Sequence, residues 1–128
     1  MKKLILLILS ILLSYSIAFS QSGWQQQVSN TGVVLKACQF LNNSNGYIAG
    51  SDSVLFTSNA GNNWISKSSG TLTQGINGLS FIDVNTGWLT GASGIVKTTN
   101  GGNTWTLQEP GSSNATQDIF FYYSSLGW

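Results

Sequence analysis

The side chains that could carry out acid–base or metal chemistry are few in this 128-residue sequence. The four carboxylates are those of Asp52, Asp83, Glu109 and Asp118, and they are scattered along the chain. The sequence has no His, which excludes a Ser-His-Asp triad and removes the commonest general base and metal ligand. We interpret the carboxylates as solvated turn residues rather than a paired acid and base. The sequence therefore predicts no catalytic residue, no metal site and no cofactor.

Charge and cysteine content limit the class of partner. The net charge is +1 and charged residues make up 7% of the chain, so no basic face for nucleic acid is expected. Cys38 is the only cysteine, which excludes an internal disulfide and a cysteine-based metal site. We expect Cys38 to be a small buried apolar side chain.

The first twenty residues have the pattern of an export signal. Lys2 and Lys3 form a positive start, and an apolar run follows over Leu4–Leu13. This run is shorter than the ~20 residues that a membrane-spanning helix needs. We predict a helical signal peptide over residues 1–20, cleavage between Ser20 and Gln21, and no membrane segment after cleavage. The mature protein is then periplasmic, extracellular or attached to the cell surface.

The remainder of the sequence repeats with a period of 40 to 41 residues. Three features share this period: a Phe, a Gly followed by Tyr or Trp, and a separate Trp that occurs at positions 64 and 105. Such a period is typical of architectures in which each repeat buries its apolar face against the next. The residues predicted to form this repeat core are Phe40, Tyr47, Phe81, Trp88, Phe121 and Trp128.

Each repeat has the composition of four short strands. Runs of apolar and β-branched residues alternate with Gly, Asn and Ser, a pattern typical of strands joined by tight turns. Four strands in about 40 residues is the content of one β-propeller blade. We therefore predict an all-β chain with four-stranded antiparallel blades at about 35–67 and 77–108, and the start of a third at about 116–128.

The two ends of the repeat region predict an incomplete ring. Trp24 precedes Phe40 by 16 residues, as Trp105 precedes Phe121, so residues 24–28 are predicted to be a lone fourth strand, or D strand. In a closed propeller such a strand completes the last blade. Because a ring needs at least about four blades, we expect the sequence to be the N-terminal piece of a longer protein. The alternative is a short protein that closes by self-association.

The same eight-residue motif lies between the third and fourth predicted strands of both blades. It spans Thr57–Trp64 in the first repeat and Thr98–Trp105 in the second. Both copies resemble the Asp-box, or bacterial neuraminidase repeat, Ser/Thr-x-Asp-x-Gly-x-Thr-Trp, with Asn in place of Asp. We interpret the motif as a structural hairpin in which Asn binds backbone N–H groups, Gly takes positive φ and Trp anchors the fourth strand. The residues assigned to it are Thr57, Asn59, Gly61, Trp64, Thr98, Asn100, Gly102, Thr104 and Trp105.

The segment from Phe81 to Trp105 resembles the repeats of the photosystem II assembly and stability factor family. The shared elements are Phe-x-Asp, Gly-Trp, Gly-x-x-Gly and Thr-Asn-Gly-Gly-x-Thr-Trp, and the first repeat departs from them at Asn42 and Ser53. The resemblance covers nearly all of the chain after residue 20. It implies a seven-bladed propeller that acts as an assembly chaperone in photosynthetic members. Since the same repeat occurs in exported proteins of non-photosynthetic bacteria, repeats alone do not transfer the photosynthetic role.

We therefore expect an exported, non-catalytic propeller that binds a protein partner in assembly or at the cell surface. One alternative is a sialidase-like glycosidase, which would need arginines and paired carboxylates in further blades, because this sequence has no Arg. Another is a surface adhesin. Tyr47, Trp88 and Trp128 could stack on a carbohydrate, but their recurrence in every repeat favours packing between blades.

Overall fold

The computed structural model describes residues 26–67, 69, 75–92, 94–108 and 116–128. Within these residues every regular element is a β-strand, and all the strand pairs are antiparallel. The all-β prediction is therefore confirmed. The predicted signal peptide and the bond between Ser20 and Gln21 lie outside the described residues. No helix in the described ranges is long and apolar enough to span a bilayer.

Two four-stranded sheets form the body of the molecule. Blade 1 has the order β1-β2-β3-β4, and blade 2 has the order β5-β6-β7-β8. A two-stranded sheet of β9 and β10 begins a third unit. The strands are β1 (Ala37–Phe40), β2 (Gly46–Gly50), β3 (Ser53–Thr57), β4 (Ile65–Lys67), β5 (Ile76–Phe81), β6 (Gly87–Gly91), β7 (Gly94–Thr98), β8 (Thr106–Gln108), β9 (Phe121–Tyr123) and β10 (Leu126–Gly127).

The strand register gives each blade two distinct faces. In blade 1, Tyr47 pairs with Gln39 on one side and with Phe56 on the other. Phe40 pairs with Gly46 in the neighbouring row. Because successive residues of a strand point to opposite faces, Tyr47 and Phe40 lie on opposite faces of the blade. We call the face with Tyr47 the forward face, because it packs on blade 2.

Stacked aromatic rings join consecutive blades. Tyr47 of blade 1 stacks on Phe81 of blade 2, with ring centroids 3.7 Å apart and planes 5° from parallel. Trp88 of blade 2 stacks in the same way on Phe121 of the third unit, at 3.8 Å and 8°. The buried core is thus an interface between blades rather than the interior of one sheet. Its members are Tyr47, Ala49 and Val54 from blade 1 and Ile76, Leu79, Phe81, Leu89 and Val96 from blade 2.

The glycine of each Gly-aromatic pair makes room for the phenylalanine of its own blade. A Cβ atom built on Gly46, Gly87 or Gly127 would lie less than 3.0 Å from the ring of the paired Phe. The ring therefore lies flat over the glycine backbone. This contact explains why Gly and Phe recur with the same period: any larger residue would displace the ring that stacks on the next aromatic.

Two residues predicted in the repeat core are exposed instead. Phe40 is 46% exposed and Trp128 is 75% exposed, whereas Phe81 is 2% exposed. Phe40 occupies the position of Phe81, but no described residue precedes it with a ring to stack on. Trp128 occupies the position of Trp88, and no described Phe follows it. The period predicts the position within a repeat correctly, but burial also requires the neighbouring repeat.

Cys38 also differs from the prediction, because its side chain is exposed rather than buried. It lies on β1 opposite Ile48, on the face of blade 1 that points away from blade 2. Partial burial still raises the pKa of the Cys38 thiol above its ordinary value. The thiol therefore stays protonated, and weakly nucleophilic, at neutral pH.

The predicted lone D strand lies only partly within the described residues. Residues 26–28 are described and are not in a strand, and residues 24 and 25 lie outside the described ranges. A single strand has no ladder without the rest of its sheet, and no described strand pairs with this segment. Its position nevertheless resembles that of β4: a Cβ built on Gly61 would lie 3.3 Å from Gln27 Oε1, and one on Gly102 would lie 3.4 Å from Lys67 Cβ. The strand assignment of 24–28 stays a prediction.

Replacing Phe81 with Ala tests the stacked core. We expect Phe81→Ala to lower the free energy of unfolding by about 3–5 kcal/mol, since it removes a buried ring and leaves a cavity against Tyr47. Phe40→Ala is the matched control in the equivalent position of blade 1, and it should cost less than half as much because Phe40 is half exposed. Urea unfolding followed by circular dichroism measures both. Equal losses for the two variants would contradict the interface-centred core.

Candidate functional site

The two Asp-boxes have the same hydrogen-bond network. In the first, Thr57 Oγ1 accepts from the N–H of Gly61 at 2.9 Å and from that of Asn59 at 3.3 Å. The Thr57 hydroxyl donates to Asn59 Oδ1 at 3.0 Å. Asn59 Oδ1 also accepts from the N–H of Asn63 at 2.9 Å. One hydroxyl and one amide oxygen therefore satisfy three backbone donors in a turn of eight residues.

The second box repeats these contacts within 0.1 Å and adds one. Thr98 and Asn100 take the roles of Thr57 and Asn59. Asn100 Nδ2 also donates to Thr104 Oγ1 at 2.8 Å, a bond for which a carboxylate would have no proton. Asn in place of Asp therefore fits this turn as a neutral donor and acceptor, and offers no charge to a cation.

Two consecutive residues with positive φ form the tip of each box. They are Ala60 (φ 59°) and Gly61 (φ 87°) in the first box, and Gly101 (φ 67°) and Gly102 (φ 79°) in the second. The left-handed conformation costs a side chain roughly 1–2 kcal/mol per residue, and glycine avoids this cost. The conformation explains why Gly recurs at position five of the motif, as the sequence predicted.

Each Asp-box is tied to the turn between the first two strands of its own blade. The N–H of Ala60 donates to Ser44 O, and the N–H of Gly101 donates to Asn85 O, both at 2.9 Å. These turns are themselves closed by a side chain. Asn42 Oδ1 accepts from the N–H groups of Ser44 and Asn45 at 2.9 and 2.8 Å.

Asp83 is the blade 2 counterpart of Asn42. Its Oδ1 accepts from the N–H groups of Asn85 and Thr86 at 2.7 and 2.8 Å. Desolvation acts to raise the pKa of Asp83, but these hydrogen bonds to the charged form outweigh it and hold the pKa below its ordinary value. The carboxylate is therefore used to close a turn, as the sequence predicted for the acids in general.

Tyr47 connects the stacked core with this turn. Its hydroxyl donates to Val84 O at 2.8 Å, across the interface between the blades. Burial, with the charge of Asp83 as the smaller cause, raises the pKa of Tyr47 to about 12. The phenol therefore stays protonated, and keeps this hydrogen bond, throughout the physiological range.

Polar contacts between the first strands of consecutive units were missed by sequence reasoning. The side-chain amide of Gln39 bonds both backbone groups of Phe81. Its Nε2 donates to Phe81 O at 2.9 Å, and its Oε1 accepts from the N–H of Phe81 at 2.7 Å. Ser80 Oγ accepts from the N–H of Phe121 at 2.9 Å in the corresponding position. A Gln and a Ser share no recognisable motif, so the period offers no signal for this contact.

A second set of inter-blade contacts lies at the start of the first strands. Lys36 Nζ donates to Asn77 Oδ1 at 2.9 Å, and Asn77 Nδ2 donates to Thr116 O at 3.1 Å. Lys36 and Asn77 are 41 residues apart and so occupy equivalent positions in their blades. A side chain from each blade thus reaches the next, and the row runs across all three units.

The acids do not converge in the described part of the chain. No group of three or more His, Cys, Asp or Glu side chains that could hold a metal ion occurs there. Asp83 closes a turn, and Asp118 Oδ1 accepts from the N–H of Ile119 at 2.8 Å. Glu109 lies outside the described residues. Asp83 and Asp118 thus bond the local backbone, and Asp52 Oδ1 accepts from Ser53 Oγ at 3.5 Å.

Comparison with known proteins shows what these repeats resemble. The family model described as "Photosynthesis system II assembly factor YCF48" matches residues 17–109. Nine chains among solved structures match, and one of them is titled "YCF48 bound to D1 peptide". It aligns with a TM-score of 0.69 and 21% identity, over 86% of this chain and 38% of that chain. No curated protein matches the sequence. The structural match shows that the sheets are propeller blades, and this chain spans well under half the length of the matched protein.

Removing one hydroxyl tests the Asp-box network. Thr98→Val keeps the shape of a buried side chain but leaves the N–H groups of Asn100 and Gly102 without their acceptor. We expect a loss of about 1–3 kcal/mol in the free energy of unfolding and faster hydrogen exchange at Gly102. Thr99→Val, the exposed neighbour, should change stability by less than about 0.5 kcal/mol. A neutral Thr98→Val variant would show that the hydroxyl is dispensable.

The pH dependence of stability should report the Asp83 turn. A lowered pKa in the folded state means that the stabilisation is present above the unfolded pKa and is lost as the pH falls through the folded pKa. Asp83→Asn should keep the turn, because Asn42 closes the same turn in blade 1, and should remove this acid-dependent loss. It should also lower the pKa of Tyr47, while burial keeps that pKa above the ordinary value. Urea unfolding at about pH 7 and about pH 3 measures the acid dependence of stability, and an absorbance titration measures the pKa of Tyr47. If Asp83→Asn lost as much stability at low pH as the parent chain, the role of the Asp83 carboxylate in this turn would be contradicted.

Proposed function

The chain belongs to the photosynthesis system II assembly factor YCF48 family, and on that premise we propose that it is an exported, non-catalytic propeller module that binds an extended segment of a partner protein. The observation that carries this proposal is the family match over residues 17–109. The geometry agrees with it, because the polar side chains described above form hydrogen bonds within turns and between blades.

The described chemistry supports binding over catalysis. Nucleophilic or acid–base catalysis needs groups held within hydrogen-bond reach of one another. Asp83 accepts hydrogen bonds from two backbone N–H groups, and the Tyr47 hydroxyl donates to Val84 O. The whole sequence lacks His and Arg. A sialidase-like activity would therefore depend on residues outside this sequence.

Two of the three rings considered for carbohydrate stacking, Tyr47 and Trp88, are used in packing between blades, whereas the third, Trp128, is 75% exposed. A sugar stacks on an open ring face, but Tyr47 is 1% exposed and Trp88 is 2% exposed. Tyr47 lies between Phe81 and Phe56. Trp88 lies against Phe121, and Lys97 Nζ is 4.9 Å from its ring centroid. Neither ring has a face available to a sugar.

The solved structure that this chain resembles suggests which kind of partner to expect. It is titled "YCF48 bound to D1 peptide", so a protein of this fold holds a peptide. By extension we propose that this chain also holds a peptide segment, at the turns and strand ends that packing between blades leaves accessible. Turns closed by side chains, such as those of Asn42 and Asp83, are ordered before binding, which lowers the entropy that binding costs.

Peptide binding and export together test the proposal. The secreted chain should bind at least one peptide of a panel, with the D1 peptide as first probe, at least about tenfold more tightly than its scrambled version.

Export is tested separately: mass spectrometry of the secreted chain should show Gln21 as the mature N-terminus. Leu7→Arg should block export by interrupting the apolar run, and Ser10→Ala should not. Selectivity for glycans over every peptide, or retention of the chain in the cytoplasm, would overturn the proposal.

A further inference from the structure

The turn between the first two strands of each unit lies at equivalent positions, which are residues 41–45, 82–86 and 122–126. In the first two of these turns a side-chain oxygen of Asn42 or Asp83 accepts from two backbone N–H groups. Tyr123 occupies the equivalent position of the third turn. A tyrosine side chain is too long to make this local bond, which short Asn and Asp side chains form with their own backbone. The third turn therefore departs from the repeat.

The backbone closes the third turn by strand pairing instead. β9 extends to Tyr123, which pairs with Leu126, whereas β1 and β5 end at Phe40 and Phe81. Pairing of the two strands thus replaces the side-chain acceptor of the other turns. The aromatic side chain at position 123 is therefore not needed to close the turn, and it is available for another role.

The tyrosine at this position is exposed for a reason that the complete blades share. Tyr123 is 57% exposed, and both Asn42 and Asp83 are exposed as well, although each lies in a blade with all four strands. Exposure is therefore a property of this position in the repeat. It does not depend on the number of strands that the third unit has.

Tyr122 and Tyr123 form an aromatic pair. Their ring centroids are 4.3 Å apart and their planes meet at 67°. Tyr122 is 60% exposed, and it stands at the position of Leu41 and Ile82, which are partly buried in the complete blades. The two rings together form a corner rather than a flat plate.

The exposed side chains of the second turn lie beside this pair. Trp88 follows the second turn and Phe121 precedes the third, and their rings stack with centroids 3.8 Å apart, so the two turns are neighbours. Val84 in the second turn is 39% exposed, and Leu126 in the third is 50% exposed. We call this surface the tyrosine patch, and its members are Asp83, Val84, Tyr122, Tyr123 and Leu126.

Asp83 gives the tyrosine patch a negative charge. Although desolvation acts to raise the pKa of Asp83, hydrogen bonds from the N–H groups of Asn85 and Thr86 hold it below the ordinary value, so the carboxylate is ionised at neutral pH. Lys67 reaches the second Asp-box, where its Nζ donates to Asn103 Oδ1 at 3.0 Å. The patch therefore offers apolar rings beside an anion, which complements an apolar residue that has a cation next to it.

We infer that the tyrosine patch binds a proline-containing segment of a partner protein in which a Lys or Arg is adjacent to the proline. The inference rests on the proposed function, that the chain holds a peptide segment, and it names the surface and the peptide chemistry. Extended proline-rich segments bind aromatic surfaces at low entropic cost, because their backbone is already stiff in solution. In this arrangement the proline packs in the corner between the tyrosine rings, and the cation faces Asp83.

A neutral sugar fits this surface less well. A sugar ring stacks on a flat aromatic face, and its hydroxyl groups lose free energy where they find no hydrogen-bond partner. The two tyrosine rings meet at 67°, and the exposed side chains of Val84 and Leu126 beside them are apolar. The apolar corner therefore favours a proline side chain over a sugar.

A labelled peptide with the central sequence Pro-Pro-Lys is the probe, and the secreted chain is the receptor. We expect saturable binding by fluorescence anisotropy. Replacing the two prolines with Ala should weaken binding at least about tenfold, and replacing the Lys with Gln should weaken it at least about threefold.

Two variants remove the rings without removing the turn. Tyr123→Asn places in the third turn the residue that closes the first, so we expect an unchanged unfolding midpoint and binding that is at least about tenfold weaker. Tyr122→Leu introduces the residue that blade 1 has at Leu41, and it should weaken binding at least about threefold. Asp83→Asn keeps the second turn and should make the Lys and Gln peptides bind equally. Leu107→Asn is the control, because Leu107 is exposed on the fourth strand of blade 2, and binding should not change.

The outcomes separate this inference from the proposed function. Panel peptides that bind the parent chain and Tyr123→Asn equally well would overturn the tyrosine patch and leave the proposed function standing. Preference for a peptide without proline, or loss of binding to a neutral glycan alone in Tyr123→Asn, would overturn the stated partner chemistry. If the parent chain binds neither the probe nor any peptide of the panel, both the inference and the proposed function fail.

Discussion

Stacking of one aromatic ring on another between consecutive repeats is the interaction on which the rest of this structure depends. Phe81 lies on Tyr47 and Phe121 lies on Trp88 at almost the same separation, 3.7 and 3.8 Å. A four-stranded sheet of short strands has little core of its own, so its apolar face is buried only by the next sheet. The glycine beneath each Phe lets the ring lie flat, which sets its plane for the stack.

Polar groups hold the backbone in the shape that this stacking requires. The hydroxyl of Thr98 and the amide of Asn100 close a turn that places Trp105 against Phe81. Gln39 fixes the first strand of blade 2 by bonding both backbone groups of Phe81. A scaffold of this kind presents ordered turns at its surface, as the proposed recognition of a partner protein requires.

The fold could be read from the sequence because the repeated residues occupy positions that tolerate few substitutions. Gly87 must leave room for a ring and Gly102 must take positive φ, so both recur with the period. The Asp-box turn was predictable for the same reason. Gln39 and Ser80 were not, because several kinds of side chain can form a hydrogen bond with a backbone N–H or C=O group. The exposure of Phe40, Trp128 and Cys38 was not predictable either, since it depends on what lies beside the outer repeats.

A double-mutant cycle between Tyr47 and Phe81 measures the central interaction most directly. Tyr47→Leu, Phe81→Leu and the double variant are compared with the parent chain by urea unfolding, and Tyr47→Phe separates the hydroxyl bond to Val84 from the ring contact. The stacked geometry predicts a coupling free energy of about 0.5–1.5 kcal/mol between the two rings. Additive effects, with a coupling below about 0.3 kcal/mol, would show that the rings do not join the blades.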